Sequence, residues 1–205
     1  MSQTDRSVER ETPVPPVASI ADPAPLGLAA FALTTFVLSC VNSGLLDTTV
    51  EPVVFGLALA YGGIGQFAAG IWEFAKGNTF GATAFCSYGA FWISFWYLTG
   101  HTDLSGAASE NDLGNAIGVY LLAWGIFTLY MTVAASRVSG AVLAVFALLT
   151  LTFFLLAIGE IAASDGWTKF GGWVGLATAL AAWYASFAGV TNFTFKREVL
   201  PTMPR

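Results

Sequence analysis

Long apolar stretches separated by short polar turns dominate the pattern of this chain. A helix that crosses a bilayer needs about 20 mostly apolar residues, and six stretches of that character follow one another in the sequence. The longest polar interval, "GHTDLSGAASENDLG", separates the third stretch from the fourth. The pattern predicts an all-α integral membrane protein with six transmembrane helices. The predicted helices are residues 25–43, 52–72, 80–98, 115–134, 139–162 and 173–192.

The composition supports the membrane class. Hydrophobic residues make up 56% of the 205 positions and charged residues only 10%, whereas a soluble domain carries about a quarter charged residues. So few charges leave too much apolar surface for one small soluble globule to bury. The net charge of -5 and the absence of a basic cluster in the sequence also argue against a nucleic-acid partner.

The polar segments at both ends divide the chain into three parts. Residues 1–21 are polar and contain prolines, which predicts a disordered N-terminal tail. They include no apolar stretch before a cleavage site, so we expect no cleaved signal peptide. Residues 22–195 form the predicted membrane domain, and residues 196–205 form a C-terminal tail.

The distribution of basic residues predicts the orientation in the membrane. Cytoplasmic loops carry an excess of Lys and Arg, and seven of the eight basic residues fall on the side of the two termini. Both termini are therefore expected in the cytoplasm of a multi-pass protein of the cell (inner) membrane. The exception is Lys169, and the seven others are Arg6, Arg10, Lys76, Arg137, Lys196, Arg197 and Arg205.

The first helix is preceded by an acid and two prolines. Asp22 is predicted as the N-cap, because its carboxylate accepts from unpaired backbone N–H groups. Pro23 at the first helical position and Pro25 at the third remove donors that have no partner within the helix. The positive end of the helix dipole at this mouth suits an anion; an ordinary helix cap is the alternative.

The sequence contains no pattern typical of catalysis. It has no nucleophile paired with a base, no phosphate-binding glycine loop and no metal-ligand spacing, so we expect no enzyme, no metal and no cofactor. Polar residues in the spans are mainly hydroxyls and amides, which suit a small neutral or weakly anionic solute. Glu73 and Glu160 are expected at helix ends, where they reach water. A membrane sensor or structural protein is the alternative of another class.

Several long motifs resemble the acetate uptake transporter family, which includes the succinate–acetate permeases. The first, "DPAPLGL" (residues 22–28), is similar to the family's "NPAPLGL" signature. It is followed in order by "YGGIGQFAAGIWEFAKGNTFGATAFCSYGAFW" (61–92), "GVYLLAWGIFTLYM" (118–131) and "LLAIGEIA" (155–162). The resemblance covers nearly the whole chain after the N-terminal tail.

The resemblance implies one pore per protomer, enclosed by six helices, in a homohexamer. The implied substrates are acetate and other small monocarboxylates, and sometimes succinate. It also implies that Phe31, Tyr88 and Leu149 constrict the pore, and that Leu149 and Ala182 influence substrate choice. The remaining residues assigned to the substrate path or selectivity are Asp22, Pro25, Leu26, Gly27, Thr34, Thr35, Asn42, Tyr61, Gln66 and Glu73.

Two positions depart from the family pattern and leave the transported form open. Asp22 replaces the signature asparagine, and Glu160 follows "AIG", where a relative has asparagine. Acetate is almost entirely an anion at neutral pH, and carrying a bare anion through hydrocarbon is prohibitive. A channel-like facilitator is the primary hypothesis, because the spans show no evident mid-membrane proton relay. A proton-coupled symporter is the alternative.

Overall fold

A computed structural model describes residues 20–106 and 109–205. The tail predicted for residues 1–21 therefore lies outside the described residues except at its last two positions. The described chain is helical, with no strand longer than an isolated bridge between Ser139 and Pro204. The seven α-helices are α1 (Ala24–Asn42), α2 (Val53–Leu59), α3 (Gln66–Lys76), α4 (Thr79–His101), α5 (Glu110–Ala135), α6 (Gly140–Ile161) and α7 (Asp165–Phe195).

Five segments are long and apolar enough to cross a membrane. They are α1, the segment Val53–Lys76 that contains α2 and α3, and the helices α5, α6 and α7. The 23-residue α4 is long enough to span a bilayer, but its glycines, hydroxyl residues and rings lower its hydropathy. The structure therefore supports an all-α membrane bundle with five or six apolar helices. Most of the observed helix ends lie within a few residues of the predicted ends. Helix α7 is an exception, because it begins at Asp165, eight residues before the predicted start at residue 173.

The second predicted helix is not continuous, contrary to the expectation of one helix over residues 52–72. A π-helical turn, Ala60–Gly65, separates α2 from α3. An added Cβ on Gly62 would lie 2.6 Å from Oγ1 of Thr34, and one on Gly63 would lie 2.5 Å from the carbonyl oxygen of Ala58. Only glycine fits at these two contacts, so the wider turn packs directly against α1. Single π turns of this kind often occur at functional sites.

Small residues set the spacing between the helices elsewhere in the bundle. A Cβ on Gly27 would overlap the ring of Phe85, and a Cβ on Gly70 would overlap the backbone of Cys86. Helices α1 and α3 therefore approach α4 closely, as small residues allow in membrane bundles. Helix α1 also packs along α7, and α6 lies between α5 and α7.

The C-terminal segment folds back onto the bundle. The side chain of Asn192 accepts from the backbone N–H groups of Val199 and Leu200, at 2.7 and 2.9 Å. Further along, the carbonyl oxygen of Met203 accepts from the backbone N–H of Gly140 at 2.8 Å. Residues 196–205, expected as a tail, thus lie against the start of α6.

Candidate functional site

A cavity of about 570 Å³ opens at the end of the bundle where α6 ends and α7 begins. The residues of α1 that line this cavity recur every three or four positions, so they lie on one face of the helix. This face begins at Phe31, continues through Thr35 and ends at Asn42. The other walls come mainly from α4, α5, α6 and the turn before α2. We call this space the vestibule.

The three residues predicted to constrict the pore meet at the inner end of the vestibule. Phe31 and Leu149 line both the vestibule and a second cavity of about 20 Å³, and Tyr88 lines the smaller one. The rings of Phe31 and Tyr88 lie 5.9 Å apart between centroids. All three side chains are at least 95% buried. The smaller cavity has room for about one water molecule, so the open space narrows sharply at these three side chains.

The ring of Tyr88 is held in place on several sides. Its hydroxyl donates to Oγ1 of Thr128 at 2.9 Å, and Thr128 in turn donates to the carbonyl oxygen of Trp124. Phe127 packs edge-on against the ring, with centroids 5.4 Å apart. Since the polar end is hydrogen-bonded and the faces are packed, the narrow point has a fixed aromatic wall.

The charged groups that line the vestibule are both acidic. Glu51 lies before α2 and Glu160 in the last turn of α6, and both face the cavity, whose wall has no Lys, Arg or His among the described residues. Glu160 was expected at a helix end within reach of water, and the structure places it on the vestibule wall. Burial raises the pKa of Glu51, and the charge of Glu160 raises it further. Glu51 therefore stays protonated to a higher pH than an ordinary glutamate.

The opposite end of the bundle carries an ion pair. Helix α1 begins at Ala24, so Pro23 occupies the predicted place of Asp22 as N-cap and Pro25 lies at the second helical position. Asp22 still accepts from the backbone N–H of Ala24 at 3.2 Å, and it pairs with Nζ of Lys76 at 2.7 Å. The predicted position of the N-cap was therefore wrong by one residue, but the predicted hydrogen bond from a backbone N–H to the Asp22 carboxylate is present.

Two polar residues of α3 are buried between the constriction and this end. Gln66 lines the small cavity below the constriction, and its Oε1 has no hydrogen-bond partner in the described chain. Glu73 was expected to reach water, and this was wrong, because its side chain is fully buried. It accepts from the side chain of Asn78 at 2.9 Å and packs against Gly81. Its contacts bridge α3 and α4, and it lines neither cavity.

Several other residues assigned to the path lie outside both cavities. Thr34 donates to the carbonyl oxygen of Ala30 and packs against Gly62, while Ala182 is fully buried. Those at or near the start of the bundle and in the π turn also line neither cavity. They are Gly27, which packs on Phe85, Pro25, whose carbonyl accepts from Ser186, and the partly exposed Leu26 and Tyr61.

Much of the vestibule wall was not predicted from the sequence. Trp92 and Phe95 of α4 and Thr152 of α6 line it. One signal was available on α4: Tyr88, Trp92 and Phe95 follow one another at helical spacing, so a constricting Tyr88 predicts further lining residues on the same face. Glu51 gave no such signal, because it belongs to a short loop.

The fold and the site together define a multi-pass helical membrane protein with a large cavity that narrows to a cluster of buried side chains. The chain belongs to the GPR1/FUN34/yaaH family, whose model matches residues 6–204.

Relatives of this chain occur in fungi and bacteria. It is 50% identical over 185 residues to accumulation of dyads protein 2 of Saccharomyces cerevisiae, covering 86% of this chain and 64% of the relative. Identity is 43% to acetate permease A of Emericella nidulans, over 88% of this chain and 65% of the relative. The chain is 41% identical to the succinate-acetate/proton symporter SatP of Escherichia coli, and the match covers 89% of this chain and 95% of the relative. The chain thus spans less than two thirds of the length of these two fungal relatives.

A solved structure has the same fold. The bacterial acetate channel SatP superposes with a TM-score of 0.81 at 40% sequence identity, covering 90% of this chain and 99% of that one.

Proposed function

We propose that the protein transports acetate and similar small monocarboxylates, and in addition succinate, through a channel-like facilitative pore in each protomer. The observation that carries this proposal is the vestibule of about 570 Å³ that narrows to the cluster of Phe31, Tyr88 and Leu149. The names of the relatives, acetate permease and acetate channel, support the substrate class.

The physical role of the constriction follows from its apolar walls. A narrow apolar segment excludes larger and strongly hydrated solutes by size and by dewetting. Hydroxyl groups of the vestibule, from Thr35 and Ser39 among others, replace part of the hydration of a carboxyl group before it enters. Acetate fits this combination, because it has one small apolar end and one polar end.

Proton-coupled symport is the second candidate. It is supported by the two carboxyl groups of the vestibule, Glu51 and Glu160, and by the symporter name of the bacterial relative. In this alternative a carboxyl group of the vestibule supplies the proton that accompanies acetate.

Flux into liposomes separates these alternatives. Labelled acetate is added to proteoliposomes with and without an imposed proton gradient. A passive pore equilibrates acetate at a rate that follows its own gradient. Accumulation against the acetate gradient, driven by protons and absent from protein-free liposomes, would show that a proton moves with acetate, as symport requires. Absence of acetate flux in either condition would favour a sensor or structural protein.

We further propose that six helices cross the inner membrane, that both termini are cytoplasmic and that six protomers assemble. Exposed apolar residues along α5, such as Val133 at 71% exposure, support a face that meets lipid or another protomer. Cross-linking and mass measurement in a mild detergent test the hexamer.

The orientation has its own test. We expect reporters fused after Arg205 and in the loop after Lys76 to be cytoplasmic, and a reporter at Asp103 to be external. The reason is the excess of basic residues on the side of the termini. Alkaline phosphatase and green fluorescent protein fusions give opposite signals on the two sides. A cytoplasmic signal from the reporter at Asp103 would show that the orientation is the reverse of the proposed one and that the vestibule opens to the cytoplasm.

A further inference from the structure

Two buried polar atoms of the vestibule have no hydrogen-bond partner among the described residues. They are Oγ1 of Thr35 and Nε1 of Trp92, whose residues are only 6% and 2% exposed. Both residues line the vestibule. Buried polar groups are almost always paired in native proteins, so each exception needs an explanation.

The hydroxyl of Thr35 differs from the other buried threonine hydroxyls of the bundle. Thr128, Thr150 and Thr178 each donate to the carbonyl oxygen four residues earlier, at 2.7 to 2.9 Å. This local bond is the usual solution for a threonine inside a helix. Thr35 does not make it, although it lies one turn after Phe31 in the middle of α1. Its hydroxyl is therefore free both to donate and to accept.

The indole of Trp92 is fixed in position, while its N–H has no partner in the part of the chain that the structure describes. Its ring packs against Phe91 and Phe95, with centroids 5.0 and 5.8 Å apart. An indole nitrogen only donates, so the group that completes this site must contribute an acceptor. Trp92 lies one turn after Tyr88 on α4, as Thr35 follows Phe31 on α1. Both unpaired atoms thus come one helical turn beyond a ring of the constriction.

We propose that Thr35 and Trp92 form a carboxyl-binding subsite on the vestibule side of the constriction. The indole N–H of Trp92 donates to one carboxyl oxygen. The hydroxyl of Thr35 donates to the other oxygen of an anion, or accepts from the O–H of the neutral acid. The subsite therefore accepts both protonation states and holds the carboxyl group while the apolar end of the solute meets Phe31. This inference rests on the proposed transport of carboxylates and adds the residues that recognise the carboxyl group.

The test is the concentration dependence of acetate influx into proteoliposomes. Thr35→Val removes the hydroxyl at nearly constant shape, and Trp92→Phe removes the N–H while keeping an aromatic ring. Each variant should raise the KM for acetate roughly two- to tenfold, the range that one net hydrogen bond gives. Thr35→Ser keeps the hydroxyl and should keep the KM near that of the wild type.

Two matched controls make the same chemical changes away from the vestibule. Thr150→Val removes a hydroxyl that already donates to the carbonyl oxygen of Phe146. Trp183→Phe replaces an indole by a phenyl ring at a position that packs against Phe36, where the ring centroids lie 5.0 Å apart. Neither Thr150 nor Trp183 lines the vestibule, so both controls should keep the KM of the wild type.

The outcomes separate the subsite from the transport function. A wild type that carries acetate, with an unchanged KM in Thr35→Val and Trp92→Phe, overturns the subsite and leaves the proposed function standing. An equal rise of the KM in Thr150→Val overturns the subsite too, because the effect then does not depend on the vestibule. A wild type that carries no acetate overturns the proposed function and the subsite with it. If Trp92→Phe does not fold, the pair Thr35→Val and Thr35→Ser decides by itself.

Discussion

The two sides of the constriction differ in width, polarity and charge. On one side lies the vestibule of about 570 Å³, with hydroxyl groups, two polar atoms that have no partner within residues 20–106 and 109–205, and the carboxyl groups of Glu51 and Glu160. On the other lies a small cavity of about 20 Å³ with mostly apolar walls, and the charges near the start of α1 form the Asp22–Lys76 ion pair. Under the proposed function, the vestibule selects and partly dehydrates a solute, and the narrow side limits the size of that solute.

This difference also separates two kinds of discrimination. In the proposed pore, the size of the solute is limited where the rings meet, because a fixed aromatic wall cannot easily widen. The charge of the solute is tested in the vestibule, where two carboxyl groups disfavour an anion. Substitutions on the two sides should therefore change different properties of transport.

The largest effect is expected at the constriction. Phe31→Ala should open the path between the two cavities and raise the influx of larger acids such as lactate or succinate relative to acetate, because the ring closes the vestibule against Tyr88. Leu149→Ala should act in the same direction more weakly. The measurement is the ratio of lactate to acetate influx in proteoliposomes.

Phe31 also packs in the core, so its truncation has a structural effect. Replacing a buried Phe by Ala destabilises a protein by roughly 3–5 kcal/mol. A variant that elutes as the wild type does from gel filtration yet keeps the wild-type substrate ratio would show that Phe31 only packs. In that case size selection lies elsewhere on the path.

A smaller effect is expected from the charge of the vestibule. Glu51→Gln should raise acetate influx relative to the wild type near neutral pH and leave it unchanged in acid. The sign follows from the raised pKa of Glu51, which burial and Glu160 cause. Below this pKa the wild-type side chain is neutral, like glutamine; as the pH rises through it, the side chain ionises and repels the anion.

The size of this effect follows from Coulomb's law. A like charge about 8 Å away raises the free energy of an anion by roughly 0.5–2 kcal/mol at an effective ε of about 80 to 20. This corresponds to about a two- to thirtyfold change in occupancy. The acetate influx of the variant is compared with that of the wild type from pH 5 to 8, at a constant concentration of the acetate anion. A ratio that does not change with pH would show that Glu51 does not face the permeating solute.

The predictability of each region depends on whether its signal is local. Helix positions follow from long apolar runs, and these predictions held within a few residues at most ends. The positions of Phe31 and Tyr88 followed from the resemblance to the transporter family, and the structure brings them together. Their role in constriction stays a prediction.

Features that depend on tertiary contacts were not predicted. The π turn at Ala60–Gly65 results from the close approach of Gly62 to α1, which no local pattern reveals. Glu73 was misplaced because a carboxylate near the end of an apolar run usually reaches water, whereas Asn78 and Gly81 enclose this one. The partner of Asp22 lies 54 residues away in the sequence, and only the folded bundle brings the two together.

The smallest effect is expected at the ion pair on the narrow side. Asparagine caps a helix about as well as aspartate, so Asp22→Asn should keep the hydrogen bond to Ala24 and remove only the negative charge. Lys76 then stays without its partner and, together with the dipole at the start of α1, attracts an anion to this mouth. We expect Asp22→Asn to raise acetate flux from this side at neutral pH.

The pairing with Lys76 limits the gain and supplies the control. Because the side chains of Lys76 and Asp22 are 37% and 48% exposed, water and salt screen their charges. The change in flux should be at most a few-fold and should shrink at high salt, with a loss of stability of no more than about 1 kcal/mol. Lys76→Gln should lower the flux, and the double variant should return close to the wild type. Equal flux in Asp22→Asn, Lys76→Gln and the wild type at low salt and pH 7 would show that this ion pair serves the helix start alone and that the anion is not drawn to it.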